Sequence, residues 1–477
     1  MALSLSRQLA RFVAGLTYEA LPPKVVDKAK ACLLHNLAAG FLGFGTPHGQ
    51  GALRLVKEEE ARPNGATILV DGSRATRMGA VFANSAFIHA TNQCDSYRML
   101  THPGPCVVPA VLASAELAGK DGRELLTALV AGYEVQTRLS RDFIPSTQAR
   151  GYRSAPVYGT LGSAVATGKL LGLSEDQMVN AIALAATSAS GTSESARVGG
   201  SESSYHEPSA ARNGVLAALA AATENHHCAE TALEGDAGFY YVFTGNNQGK
   251  LSYTFTGPNV TSLDSIVEGL GDYYEMTNVT FKPYPTPGYN NAVIELMTLL
   301  KRKHPINPDQ VDEITVEMNW LETSYPSPAF PRPELREPRV GTIHYVTAYV
   351  CVEGSYPIYG RWYEGGLGRG ESGEKGESPK VTELMRKVRV VGSRERSFFA
   401  PRITVKMKDG SLHSGEFTGE EFKLGFEQDA RRVREAAPGF PISSQQFERV
   451  IEALSHLDKL PSVEPLLRHC VASLGER

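Results

Sequence analysis

Small residues at helical spacing constrain this chain more than any other feature. From residue 1 to about 260, alanine, leucine and glycine recur with a helical period. Small side chains let helix backbones approach closely, so the pattern predicts a tightly packed helical body. Pro22 and Pro23 open one segment at Lys24, with Val25, Val26, Ala29, Cys32, Leu33, Leu37 and Phe41 on one face. Further helices are read at Arg74 to Ala90, Ala110 to Ala118, Gly122 to Leu139, Tyr158 to Leu171, Ser174 to Ser188 and Ala210 to Thr223. Thr67 to Val70 reads as a short extended piece.

Around Tyr274 the pattern changes. Ile314 to Met318 and Arg402 to Met407 alternate as strands, the second followed by an Asp409-Gly410 turn. A helix at Asn291 to Lys303 precedes them and another near His344 to Glu353 lies between them. The fold class expected is mainly α with a smaller α+β domain: residues 1–268 all-helical, residues 269–425 α+β, and residues 426–477 helical again and packed back on the first part. Gly360 to Pro379 is rich in glycine and charge and reads as a mobile surface loop.

The net charge of −4 gives no general attraction to nucleic acid or to a membrane surface. No window approaches 18 uninterrupted apolar residues, so no membrane span is expected. Met1 to Phe12 reads as an amphipathic helix, not a signal peptide. The six cysteines are scattered, with no C-x-x-C pair, which suggests reduced thiols and a cytoplasmic location.

Three motifs fail on inspection. Gly366, Gly368 and Gly370 lack the strand and helix of a dinucleotide turn, and Gly162 to Lys169 has the wrong spacing for a phosphate loop. His226, His227 and Cys228 are adjacent, and adjacent helical positions point about 100° apart, so they cannot all face one ion. No metal and no organic cofactor is therefore expected.

The stretch from Ala83 to Pro109 is where a site is expected. A buried, small-residue segment gives way to a polar run with Asn92, Asp95, Ser96, Tyr97, Arg98, Thr101 and His102. Pro103, Gly104 and Pro105 are expected to stop any helix there, and Val107 to Leu117 then begins a second buried helix. Taken alone, the run is open to two interpretations. It is a connector in which Asp95 and His102 cap helix ends, or a site carried on a loop between two buried helices.

The pattern H-A-x-x-x-x-D-(x6)-H-P-G from His89 to Gly104 resembles the signature loop of the MmgE/PrpD family. Three further stretches resemble it in order: Gly151 to Gly159, Ser203 to Gly214 with Leu233 to Phe239 behind it, and Phe281 to Pro285. The resemblance implies a large helical domain with an α+β lid, a homodimer, and no organic cofactor. It also implies a lyase or isomerase that acts next to a carboxylate of a small carboxylic acid. Catalytic roles then fall to His102, Asp95, Lys282 and His206, with Asp95 placed to orient His102 or raise its pKa. Substrate contacts fall to Asn92, Ser96, Thr101, Arg153 and Ser203, with Arg153 and Lys282 as clamps for an anionic carboxylate.

This chain also departs from the family pattern. Asn92 stands where the family has an acid, Arg153 where it has a histidine and Ser203 where it has a lysine, and a histidine common after F-K-x-Y-P is absent from Thr286 to Asn291. Losing one acid or base costs about 10²–10⁴-fold in rate. Either a different reaction is run, or the chain binds a carboxylate without turning it over.

Overall fold

The computed structural model describes residues 3–223, 226–255, 259–331, 337–360 and 378–472. Its helices come in chain order as α1 (Leu5–Gly15), α2 (Pro23–Phe44), α3 (Pro47–Glu59), α4 (Arg77–Ala90), α5 (Pro103–Leu117) and α6 (Gly122–Ser140). Next come α7 (Ile144–Ala149), α8 (Ser154–Leu170), α9 (Glu175–Ser188), α10 (Glu194–Val198), α11 (His206–Ala222) and α12 (Phe239–Thr244). A short antiparallel pair, β1 (Ala61–Thr67) and β2 (Arg74–Ala75), precedes α4. The strand thus precedes the expected Thr67–Val70 piece and shares only Thr67 with it, and α4 begins at Arg77 because Thr76 caps it, its side chain accepting from the Gly79 amide.

The small residues sit where helices meet. A Cβ on Gly214 of α11 would lie 2.4 Å from the Thr160 carbonyl of α8, and one on Gly132 of α6 would lie 2.8 Å from the Gly162 carbonyl. Helices α5 and α8 are buried along nearly their whole length. They are apolar on every side, as a central helix must be.

Besides α4, three helix starts of the helical body differ from expectation, all at the same end of the bundle. Pro103 does not stop a helix. It opens α5 as its first residue, where its missing amide would have had no intrahelical partner. Helices α8 and α11 begin at Ser154 and His206, about a turn before Tyr158 and Ala210.

The smaller part follows with α13 (Gly288–Lys303), β3 (Val311–Asn319), α14 (Ile343–Glu353), α15 (Pro379–Met385), β4 (Val388–Ser393), β5 (Arg402–Met407) and β6 (Leu412–Glu416). Its sheet runs β4-β3-β5-β6, with β3 parallel to β4 and the other pairs antiparallel. Gly410 turns the β5–β6 hairpin at a φ of 86°. Residues 361–377, most of the glycine-rich loop, lie outside the described residues.

Three helices close the chain: α16 (Phe426–Ala436), α17 (Ser444–Ser455) and α18 (Glu464–His469). Helices α16 and α17 pack on α2. The Val70 amide donates to the Cys470 carbonyl at 2.8 Å and the Ala472 amide to the Val70 carbonyl at 2.9 Å, tying the tail to the helical body.

Candidate active site

Three helix N-termini frame the candidate site. His102 is the N-cap of α5, Arg153 the N-cap of α8, and His206 the first residue of α11. Each helix carries a partial positive charge at that end, an environment that favours an anion. In α5 the first-turn amide of Gly104 is already given to Asp95, and Pro103 and Pro105 have none.

His102 is buried. Its Nδ1 lies 3.1 Å from the backbone carbonyl of Asp95. A carbonyl only accepts, so Nδ1 carries the proton and Nε2 carries the lone pair of the neutral ring. Among the described residues Nε2 makes no hydrogen bond. Burial holds the His102 pKa well below its ordinary value, and the Lys282 charge pushes it the same way. The imidazole is therefore a neutral base with its lone pair unengaged.

The Asp95 carboxylate does not perform its expected task. It accepts from Tyr133 Oη at 2.6 Å, from the Gly104 amide at 2.8 Å and from Asn36 Nδ2 at 3.0 Å, so its oxygens are bound to α2, α5 and α6. Burial raises the Asp95 pKa, and these bonds oppose that shift. Asp95 orients His102 through its carbonyl, not its carboxylate, and the pKa of His102 goes down, not up.

Arg153 also departs from expectation. Its Nη1 donates to Glu207 Oε2 at 2.6 Å, and both side chains are buried. Its Nη2 lies 3.3 Å from His89 Nε2. Arginine can only donate, so that nitrogen of His89 accepts. Burial lowers the His89 pKa to about 4, which keeps the ring neutral. Arg153 is thus an internally neutralised pair and not a free anion clamp.

Lys282 is the opposite case. It is 1% exposed, and among the described residues its ammonium has no hydrogen bond and no carboxylate partner. His206 is half-buried, its Nδ1 is buried without a hydrogen bond, and burial lowers its pKa to about 4. The rings of His89 and His102 stand 6.2 Å apart between centroids. His89, His102, Arg153, Glu207 and Lys282 all interact electrostatically, although they span almost 200 positions of chain.

The expected substrate contacts divide. Ser96 has a buried hydroxyl without a hydrogen-bond partner. Thr101 spends its hydroxyl on the Tyr97 carbonyl at 2.9 Å. Asn92 ends α4 in the left-handed conformation, at a φ of 62°, which asparagine tolerates better than most residues. Ser203 donates to the Gly200 carbonyl at 3.3 Å in a short 3₁₀ turn before α11. None of the last three faces the His102 cluster through a hydrogen bond. Among the described residues no group of His, Cys, Asp and Glu is arranged to hold a metal ion.

Comparison with known proteins now bears on this geometry. A model of the MmgE/PrpD N-terminal domain matches residues 7–252. The chain belongs to the MmgE/PrpD family. A cis-aconitate decarboxylase of Aspergillus terreus (strain NIH 2624 / FGSC A1156) is 26% identical over 486 residues, covering 96% of this chain and 94% of the relative. Cis-aconitate decarboxylases of Mus musculus and Homo sapiens are 25% and 26% identical, covering 98% and 96% of this chain and 93% of each relative.

Within the MmgE/PrpD pattern, two residues of the cluster had no assigned role. His89 is the first letter of the signature loop, and Glu207 follows His206 in the third stretch. Glu207 falls at an unspecified position of the family pattern, so nothing in the sequence marked it as the partner of Arg153. His89 carried no signal beyond being a histidine at the end of an apolar helix, where a satisfied core residue is equally good.

Proposed function

We propose that this chain is a cofactor-independent lyase or isomerase acting next to a carboxylate of a small carboxylic acid. The observation that carries this is the neutral His102, with its lone pair on Nε2, close to the unpaired cation of Lys282. A substrate carboxylate would sit against Lys282 and the helix N-termini of α8 and α11. His102 Nε2 would take a proton from the carbon next to that carboxylate. Negative charge then grows on the carboxylate oxygens, where Lys282 is already placed, so stabilisation is larger in the transition state than in the ground state. The imidazolium can return the proton to the same carbon, which is isomerisation, or deliver it to a leaving group, which is elimination.

The family pattern supports the site, and the departures argue against the parent reactions. With Arg153 for histidine and Asn92 for an acid, little or no turnover of cis-aconitate or 2-methylcitrate is expected. A second interpretation, a carboxylate-binding protein without catalysis, draws on the same replacement of a histidine by Arg153. The two are separated by a thermal-shift screen of di- and tricarboxylates, followed by proton NMR of each hit in D₂O. Loss of an α-proton signal, abolished in His102→Gln, supports catalysis. Hits that bind and exchange nothing leave only the binding protein.

We also place residues 1–268 with 426–477 as one helical domain and 269–425 as the lid, in a cytoplasmic homodimer. The packing of α16 and α17 on α2 supports the first of these.

A further inference from the structure

A cavity of about 570 Å³ lies apart from the His102 cluster, between the helical body and the smaller part. Arg98, Arg141, Phe255, Glu275, Phe399 and Lys423 are among its walls, and none of His89, His102, Arg153, His206 or Lys282 is. Its size is within the range of small-molecule sites, about 300–1,000 Å³.

Two guanidinium groups face it with donors to spare. Among the described residues the Arg98 side chain makes one hydrogen bond, from Nε to Tyr97 Oη at 3.2 Å; Nη1 and Nη2 make none, and Nη2 has the ion contact with Glu275. The Arg98 guanidinium lies over the Tyr97 ring at 5.7 Å and the Phe255 ring at 5.3 Å, which fixes its plane. Arg141 is held by Asp142 at 3.0 Å and by the Ser265 carbonyl at 3.2 Å, and among the described residues its Nη1 makes no hydrogen bond. Glu275 stands 4.0 Å from Arg98 Nη2 and 4.0 Å from Arg141 Nη1. It is already engaged by Tyr97 Oη at 2.5 Å and Asn278 Nδ2 at 3.2 Å. Lys423 is satisfied by Glu420 at 2.6 Å and Asn278 at 2.9 Å. An open, planar fork of this kind matches a bidentate oxyanion.

The backbone at Arg98 is a second, independent observation. Arg98 and Met99 both adopt left-handed conformations, at φ values of 46° and 69°. They form the tip of a tight turn in which the Tyr97 amide donates to the Thr101 carbonyl at 2.8 Å and the Thr101 amide to the Tyr97 carbonyl at 3.2 Å. Turns of this kind normally use glycine or asparagine at such positions. Bulky side chains there carry strain, which folds retain where a function holds it. The turn adjoins His102 directly. Just before it, Ser96 exchanges backbone hydrogen bonds of 2.8 Å with Thr280, two residues from Lys282.

We propose that this cavity is a second binding site, for a small metabolite bearing a carboxylate or phosphate. Arg98 holds the oxyanion bidentately, Arg141 assists, and the Tyr97–Thr101 turn transmits occupancy to His102. The binding itself does not depend on which reaction the His102 cluster performs.

Titration calorimetry with succinate and with inorganic phosphate tests it, on the wild type, Lys282→Ala, Arg98→Gln and Arg98→Gly. The glycine variant relieves the left-handed strain and so guards against a folding failure. Expected is saturable binding of one probe at millimolar concentration that survives Lys282→Ala and weakens about tenfold or more in both Arg98 variants. Preference for succinate or for phosphate identifies the class of anion. In Lys282→Ala, the same probe should move the His102 Cε1–H resonance. The proposal is overturned if neither probe binds, if binding is indifferent to Arg98, or if it disappears with Lys282. A bound probe that leaves the His102 resonance unmoved overturns the transmission.

Discussion

The Arg153 guanidinium donates to the Glu207 carboxylate at 2.6 Å in a buried ion pair at the N-termini of α8 and α11. Arg153 holds the Glu207 pKa far below the usual carboxylate range, against the effect of burial. Removing one partner strands the other charge. Glu207→Gln or Arg153→Met is therefore expected to destabilise the fold by about 3–5 kcal/mol. The double variant Arg153→Met/Glu207→Gln should lose clearly less than the sum. A double-mutant cycle by urea denaturation measures this, and additive losses would remove the pair from the account.

His102 should not titrate near neutrality. Its pKa is depressed by burial and by Lys282, so the base form persists well below pH 6.5. The Cε1 resonance of His102 is expected to stay constant from about pH 8 to pH 5.5, whereas an ordinary histidine moves through its midpoint at about 6.5. In Lys282→Met the His102 pKa should rise. A midpoint near 6.5 in the wild type would contradict the neutral-base assignment.

How far the sequence carried this depends on the element. The helical body was legible because glycine and alanine recur at 3.6-residue spacing, and Gly132 and Gly214 do lie at close helix approaches. The positions of α5, α8 and α11 were misread at their starts, because proline and polar residues are as acceptable in a first helical turn as in a loop. That error concealed the geometry of the site, which is built from those three N-termini. Lys282 and His102 were legible through the family pattern. The direction of the Asp95 carboxylate was not, since sequence spacing says nothing about which of its atoms faces the ring. Arg153 was readable as a cation but not as a paired one, because its partner lies 54 positions away.

Glu322 gives a pH dependence of the opposite sign to the histidines. It is fully buried, and burial raises its pKa to about 8 although the Phe399 amide donates to it at 3.1 Å. A raised folded pKa means stability that is full below about pH 4.5 and is lost as pH rises through 8. Glu322→Gln removes that loss. Relative to the wild type, the variant should gain about 2–4 kcal/mol between pH 5 and pH 8.5. Chemical denaturation at the two pH values measures the difference, and a constant offset would show that Glu322 is ionised in the fold.

The helical part should form a homodimer. Large apolar side chains stand exposed on it, among them Leu216 on α11, Tyr205 just before it, and Tyr241 on α12. Exposed large apolar side chains are what a subunit interface can cover. Sedimentation at micromolar concentration should give twice the monomer mass of 51.5 kDa. A monomer that Leu216→Glu leaves unchanged would remove this assignment.

Lys282 separates a structural role from a substrate role. A buried lysine that held the fold together would have an acceptor, and Lys282 has no hydrogen bond or carboxylate partner among the described residues. Methionine has nearly the same length and needs no acceptor. Lys282→Met should therefore leave the unfolding free energy within about 1 kcal/mol of the wild type, or raise it, since an unpaired buried cation is itself a burden. Affinity for the carboxylate that shifts the melting temperature should fall about 10–100-fold, the loss of one charge-assisted hydrogen bond of roughly 1.5–3 kcal/mol. The two effects are read on the same protein, stability by denaturation and affinity by calorimetry. A variant that unfolds easily while keeping its affinity would make Lys282 a structural residue, and the carboxylate clamp would have to be sought elsewhere.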